Sequence, residues 1–317
     1  MSKTAKIFID GAAGTTGLEI RERLAGRDEL SLIALSEAER KDQTARKRAL
    51  NEADLVILCL PDEAAREAVS LIDNPQTRVI DASTAHRVAE GWDFGFPELD
   101  PDGYSRIAAS KRVSNPGCWA TGFLAIARPL VRAGIIPRDF PLTANGVSGY
   151  SGGGKSMIAE FQDKTSADYT ETVSRIYGLS LTHKHIPEMQ KHSGLSHPPL
   201  FEPSVGRYYR GMLVEVPLQL WALPATPTPR DLHAALVKAY PERPLVKVAS
   251  LEGAAAAKTL DAEIFAGTNG LTIYVFANEK TRQARLVAAF DNLGKGASGA
   301  AVQNMNIMLG LPETTGL

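Results

Sequence analysis

The sequence predicts an α/β protein: a Rossmann-like, doubly wound parallel sheet, followed by an α+β domain on a mostly antiparallel sheet. Three observations carry this. Short aliphatic runs alternate with helical stretches from residue 6 to about 110, the rhythm of βαβ units. A glycine triplet, Gly11-Ala-Ala-Gly14-Thr-Thr-Gly17, stands directly after the first run and opens the first helix. After Cys118 the pattern shifts to longer strands.

In chain order, strands are expected at Lys6–Asp10, Leu30–Leu35, Leu55–Leu60, Arg78–Asp81 and Ile107–Ser110. The continuous apolar run around Val56-Ile57-Leu58 marks a strand buried on both faces, hence central. A helix then follows Cys118 to about Ala133, with Gly134 as its stop, and long strands are expected at Gly211–Leu220 and Leu271–Ala277. Ala254–Ala257 reads as a short local helix. From about Gly296 to Leu309 a helical apolar pattern closes the chain and is expected to return to the first domain. The expected domains are therefore 1–117 completed by 291–317, and 118–290.

Length and charge narrow the function. The 317 residues suit about two domains at roughly 150 residues each, and 44% hydrophobic with 22% charged residues is ordinary globular material. A net charge of −1 offers no general attraction for nucleic acid or an anionic membrane, so neither is an expected partner. The opening Met1-Ser2-Lys3-Thr4-Ala5-Lys6 has no apolar targeting core, and the cytoplasm is the expected compartment. Two cysteines build neither a disulfide framework nor a structural zinc site, and no metal is expected.

The glycine loop places backbone against a pyrophosphate at a helix N-terminus. About 20 residues on, where NAD enzymes carry an acid for the ribose, stand Ser36 and Glu37, then Arg40 and Lys41, a composition that favours NADP. The cysteines differ in setting. Cys59 ends a buried strand and reads as a small core hydrophobe. Cys118, in Asn115-Pro116-Gly117-Cys118-Trp119-Ala120-Thr121, falls at the start of a helix, where peptide dipoles favour a thiolate.

The stretch Asn115–Gly122 resembles the active-site segment of N-acetyl-gamma-glutamyl-phosphate reductases, the NADP-linked enzymes of arginine biosynthesis, in their shorter form. The resemblance extends through Gly11–Gly17, Asp81–Arg87, Gly146–Lys155, His183–Glu188 and Asn292–Asn304, in the family's order. It implies a catalytic and dimerisation role for the second domain and a homo-oligomer, dimer or tetramer. It implies Cys118 as nucleophile and His185 as acid/base. Substrate contacts fall on Arg87, Ser148, Ser151, Lys155 and His183, and cofactor contacts on Gly11, Ala13, Gly14, Thr15, Thr16, Gly17, Ser36, Arg40, Ser83 and Asn292. The implied chemistry is NADPH-dependent reduction of a small acyl phosphate, N-acetyl-gamma-glutamyl phosphate, to the semialdehyde through a thioacyl enzyme. Aspartate-semialdehyde dehydrogenases share the scaffold and are the alternative; a non-catalytic NADP-sensing protein is a further one.

Two motifs need weighing. Gly149–Ser156 satisfies the spacing of a nucleotide P-loop, which would make the chain a phosphotransferase. A doubtful following helix and no clear magnesium-binding aspartate argue against that. His183 and His185, at i and i+2, would point to opposite sides of an extended segment and so make a poor metal pair. Spacing alone leaves either as the catalytic one.

Overall fold

The computed structural model describes residues 4–317, and Met1–Lys3 of the opening stretch lie outside the described residues. It divides into two units: Met1–Pro97, Asp102–Pro116 and Ala297–Leu317, and then Glu98–Pro101 with Gly117–Gly296.

In the first unit the chain runs β1 (Ala5–Asp10), α1 (Thr15–Leu24), β2 (Leu30–Ile33), α2 (Gln43–Glu52), β3 (Leu55–Leu58), α3 (Asp62–Ser70), β4 (Arg78–Asp81), β5 (Asp93–Phe94), α4 (Gly103–Ala109) and β6 (Arg112–Ser114). The six strands lie in the order β2-β1-β3-β4-β6-β5, all parallel. Side chains alternate across the sheet. Ile7, Ile9, Leu55, Ile57 and Ile80 pack with Ile20 and Leu24 of α1 and with Val302, Met305 and Met308 of the closing helix Gly299–Leu309. Phe8, Val56, Leu58 and Val79 face the other way, onto Ala49, Leu50, Ala65 and Ala68 of α2 and α3. Burial on both faces is why these strands read as unbroken apolar runs. The strand expected at Ile107–Ser110 is instead the end of α4: Ala108 and Ala109 are strong helix formers, and Ile107 is the buried anchor of one turn. The strand itself begins five residues later, at Arg112–Ser114.

The second unit opens with α5 (Cys118–Arg132), followed by β7 (Thr143–Gly149), α6 (Gly154–Gln162), β8 (Ser174–Ile176), α7 (His185–Ser193), β9 (Leu200–Gly206), β10 (Met212–Gln219), α8 (Pro229–Ala239), β11 (Val246–Val248), α9 (Leu251–Ala256), β12 (Leu271–Asn278) and β13 (Gln283–Phe290). Its seven strands are ordered β11-β12-β13-β10-β7-β9-β8. Four pairings are antiparallel, and β11·β12 and β7·β9 are parallel. Helix α5 lies on β10 and β13. It lies close because a Cβ at Gly122 would come within 2.6 Å of the Val214 side chain and 2.8 Å of Phe290.

Candidate active site

The nucleotide cradle belongs to the first unit. Strand order reverses between β1 and β3, the switch point where parallel sheets hold ligands at the carboxyl ends of their strands. Gly11 (φ +86) follows β1 there, and a Cβ on it would sit 2.2 Å from the Cys59 carbonyl oxygen. A Cβ on Gly17 would lie 2.5 Å from the Gly11 oxygen. Gly14 is the N-cap of α1, with no side-chain cap and no acid in the first turn. The free amides therefore face the loop, and the site fits an anionic dinucleotide. A cavity of about 370 Å³ adjoins it, lined by Asp10–Ala13, Leu32–Leu35, Leu60, Arg21, Arg40 and Arg46. Arg46 pairs with Asp10 at 2.9 Å, and Arg40 donates through Nε to the Leu35 carbonyl at 3.2 Å. Ser36 donates from its amide and hydroxyl to Glu39 at 2.9 and 2.8 Å. These two bonds, first the amide and then the hydroxyl, hold the Glu39 carboxyl below its ordinary range.

Farther along the same sheet, the buried Asp81 accepts from the Ser83 amide (2.9 Å) and hydroxyl (2.7 Å), and His86 Nδ1 lies 2.6 Å from it. Arg87 is buried and donates to the carbonyls of Asn115 (3.0 Å) and Ala82 (3.3 Å). Cys59 sits beside these carboxylates. Burial, then Asp81 and Asp10, push its thiol up to about 12, which keeps it a neutral, partly buried side chain packed against the core.

The candidate nucleophile, Cys118, belongs to the second unit. Gly117 is the N-cap of α5 and Cys118 its first residue; the first helical bond runs from the Thr121 amide to the Gly117 carbonyl at 2.9 Å. The amides of Cys118, Trp119 and Ala120 thus precede the helical ladder, and the positive end of the helix dipole lies at the sulfur. Glu188, 1% exposed on α7, accepts from the Gly117 amide at 2.8 Å and ties the start of α7 to the turn presenting the thiol. His183 and His185 do not diverge as an extended pair would. Lys184 is in the right-handed helical region, so the chain turns into α7 and the two rings lie 4.8 Å apart. His183 Nδ1 accepts from the His185 amide at 3.2 Å, which leaves Nε2 to carry the proton of the neutral ring.

A second strip of chain completes this side. Asn292 is buried, donating to Ser151 Oγ at 2.9 Å and accepting from the Gly211 amide at 2.8 Å. Four residues on, a Cβ at Gly296 would lie 2.9 Å from Cys118 Cβ. Residues 292–296 therefore link the Ser148–Ser151 turn to the thiol. Ser148 Oγ donates to the Gly149 carbonyl at 3.2 Å, and Lys155 is exposed in the first turn of α6. The P-loop spacing is coincidental in form: β7 runs between antiparallel β10 and parallel β9, Tyr150–Gly153 is a 3-10 turn, and α6 has nine residues.

Among the sequence candidates, the structure groups Cys118, His183, His185, Ser148, Ser151, Lys155 and Asn292 in the second unit. It places Gly11–Gly17, Ser36, Arg40, Ser83 and Arg87 in the first. Asn292, expected at the cofactor, has its amide engaged with Ser151 and Gly211. Three residues escaped the sequence reading. Tyr177 accepts from Trp119 Nε1 at 2.8 Å and packs on His183, and burial, then the nearby Cys118, push its hydroxyl well above the ordinary range. Gly296 makes room for Cys118. Arg210 lies 3.4 Å from Asp291, beside the Ser151 turn. Tyr177 stands in a segment with no motif, so only the fold brings it to Trp119.

Residues 6–107 match the family model for the semialdehyde dehydrogenase NAD binding domain, and residues 118–292 that for the semialdehyde dehydrogenase dimerisation domain. The chain is 52% identical to an N-acetyl-gamma-glutamyl-phosphate reductase of Trichormus variabilis, over 98% of this chain and 99% of that one. It is 53% identical to the protein of that name from Mesorhizobium japonicum, over 96% and 99%. The chain belongs to the N-acetyl-gamma-glutamyl-phosphate reductase family. A solved aspartate semialdehyde dehydrogenase II of Vibrio cholerae superposes with a TM-score of 0.72 over 97% of this chain and 99% of that one, at 16% identity. That likeness extends to the fold alone.

Proposed function

We propose that the protein reduces N-acetyl-gamma-glutamyl phosphate to the semialdehyde and phosphate, with NADPH as reductant, as an arginine-biosynthetic homo-oligomer in the cytoplasm. The observation that carries this is Cys118 at the first position of α5, its turn anchored by Glu188 of the same helix that begins with His185. The Cys118 thiolate attacks the acyl carbon, and the bond to phosphate breaks to leave a thioester. The first-turn amides of α5 receive the carbonyl oxygen as charge builds on it. When bound, NADPH supplies a hydride to the thioester carbon. His185 takes the thiol proton at the outset, protonates the oxygen of the reduced adduct, and takes that proton back as the adduct collapses to aldehyde and thiolate. His183, Ser148, Ser151, Lys155 and Arg87 hold the acyl phosphate; Lys155 acts as a point charge and Arg87 as a planar donor.

The glycine cradle, with Ala13, Thr15, Thr16 and Ser83, holds the dinucleotide, and Asn292 is a further candidate contact for it. NADP is favoured because three arginines line the cavity beyond β2, and Ser36 stands where a ribose-binding acid would repel a 2′-phosphate. The helices among the described residues include none long and apolar enough to cross a membrane. The test is the reverse assay with N-acetylglutamate semialdehyde, phosphate and NADP. Turnover with mass-spectrometric capture of an acyl adduct on Cys118 is expected. Turnover of aspartate semialdehyde in its place would shift the assignment to the alternative scaffold member.

A further inference from the structure

Asp291, just beyond β13, is the hub of a polar cluster in the second unit that the reaction steps leave unused. It is fully buried, and its carboxylate accepts from the amides of Gly267 (2.6 Å), Leu293 (2.8 Å) and Gly294 (3.2 Å). Backbone amides thus already occupy its oxygens. Arg210 nevertheless stands 3.4 Å from it, with a quarter of its side chain exposed and its guanidinium 6.0 Å from the centre of the Tyr209 ring. An arginine held by an acid on one side and an aromatic ring on another is fixed in place, and it carries more N–H donors than one carboxylate takes. Two residues past Gly267, Asn269 is 5% exposed, and neither polar atom of its amide is hydrogen-bonded among the described residues. A buried amide left without partners is destabilising, and a native fold keeps one where something else completes it.

The cluster adjoins the site through the backbone. The Tyr209 carbonyl accepts from the Ser151 amide at 3.1 Å, and the Gly211 amide donates to Asn292. The Asp291 carbonyl accepts at 3.0 Å from the amide of Gly296, the glycine that lies against Cys118. We propose that Arg210 and Asn269 form the seat for the amino-acid end of the substrate: Arg210 takes its carboxylate and Asn269 pairs with its acetamide. The inference rests on the proposed function, which brings a substrate bearing both groups, and adds the residues that select it. A planar guanidinium meets a carboxylate bidentately, whereas Lys155 offers the point charge suited to phosphate. A primary amide both accepts and donates, as pairing with an acetamide requires. Asp291 is the positioning residue of the seat. A site built to hydrogen-bond both groups rejects aldehydes that lack them, because its own polar atoms are then left unpaired.

The test compares three aldehydes in the reverse assay: N-acetylglutamate semialdehyde, γ-acetamidobutyraldehyde, which lacks the carboxylate, and glutarate semialdehyde, which lacks the acetamide. The unaltered chain is expected to lose about 10–100-fold in kcat/KM with each of the two reduced aldehydes. Arg210→Met should lose as much with the full substrate and nothing further when the carboxylate is removed. Asn269→Leu should be equally indifferent to the acetamide. KM for phosphate and for NADP, and the rate at which iodoacetamide labels Cys118, should match the unaltered chain, which a general loosening of the site would not allow. An Arg210→Met enzyme that still discriminates by the carboxylate, or whose loss falls on KM for phosphate, overturns the seat at Arg210. An Asn269→Leu enzyme that still discriminates by the acetamide overturns the pairing at Asn269. An unaltered chain inactive on N-acetylglutamate semialdehyde overturns the proposed function and the seat together, whereas one that is active but indifferent to both groups overturns the seat alone. Should either variant fail to fold by circular dichroism, Arg210→Lys and Asn269→Ser decide by the same comparison: a loss confined to aldehydes bearing the matching group supports the seat, and an equal loss with all three refutes it.

Discussion

Cys59 and Cys118 carry the same thiol in opposite surroundings, and the difference is measurable without substrate. With Cys59 pushed up to about 12 it is almost wholly protonated at pH 7, while Cys118 opens a helix. Iodoacetamide at neutral pH is expected to label Cys118 in the folded protein and leave Cys59 intact, by peptide mapping. Cys118→Ser should abolish turnover and Cys59→Ala should keep most of it; a fully active Cys118→Ser enzyme would end the covalent mechanism. The histidines separate by burial. His185 is 6% exposed at the start of α7, whereas His183 is half-buried with Nδ1 already engaged. His185→Asn is therefore expected to lower kcat by about 10²–10⁴-fold and to change its pH profile, and His183→Asn chiefly to raise KM. Exchange of these two phenotypes in steady-state kinetics would exchange the roles. The setting of Cys118 at a helix start was readable in Pro116-Gly117-Cys118, since a turn followed by a helix is local chemistry. The histidine geometry was not, because one residue, Lys184, turning helical brings together two rings that extended chain would separate.

What an element owes to its own residues shows best in α8. Thr228 accepts from the Asp231 amide, and Asp231 accepts from the Thr228 amide and hydroxyl at 2.7 Å each, with Pro229 at the first helical position. The backbone bond, then the hydroxyl, hold the Asp231 carboxyl below its ordinary range. A lowered folded-state pKa means that the unfolded chain binds the proton first as pH falls. The stabilisation is thus complete above about pH 4 and is lost as the pH drops through the lowered value. Asp231→Asn is expected to melt below the unaltered protein at pH 7, with the gap closing towards pH 2; a gap that persists at pH 2 would place the effect outside this carboxylate. Such local codes explain what the sequence made legible: the glycine loop, the doubly buried β3, and α5 with its Gly134 stop. Elements set by their partners were harder to read. Strand β9 carries Pro203 in its interior, which argues against a strand until its neighbours are known, and β8 has three residues. At Ile107 one apolar residue before two alanines fits either element, and packing against the closing helix decides for α4.

On the scale of the whole molecule, the chain path matters more than any motif. Having built most of the first unit, the backbone lends four residues, Glu98–Pro101, to the second before returning at Asp102. Two sets of charges hold those four residues. Arg128 and Arg132 of α5 take Asp100 at 3.1 and 2.9 Å, and Lys295 Nζ donates to both oxygens of Glu98 at 2.8 Å. The first set is partly exposed and contributes little. The second is buried, at 1% and 2% exposure, where removing one partner strands the other's charge at a cost of about 3–5 kcal/mol, although an apolar pair of similar volume can be neutral. Lys295 also immediately precedes Gly296, whose backbone lies against Cys118. Lys295→Met should therefore do two things at once, lowering the urea midpoint sharply and slowing acylation by shifting the floor under the nucleophile. Glu98→Leu/Lys295→Met removes the stranded charge and is expected to recover most of the midpoint. If the double variant also recovers the acylation rate in single-turnover measurements, packing around residues 295 and 296 positions the thiol. If stability returns without the rate, the ion pair itself sets the geometry. A double variant as unstable as Lys295→Met would refute the assignment of that cost to the uncompensated carboxylate.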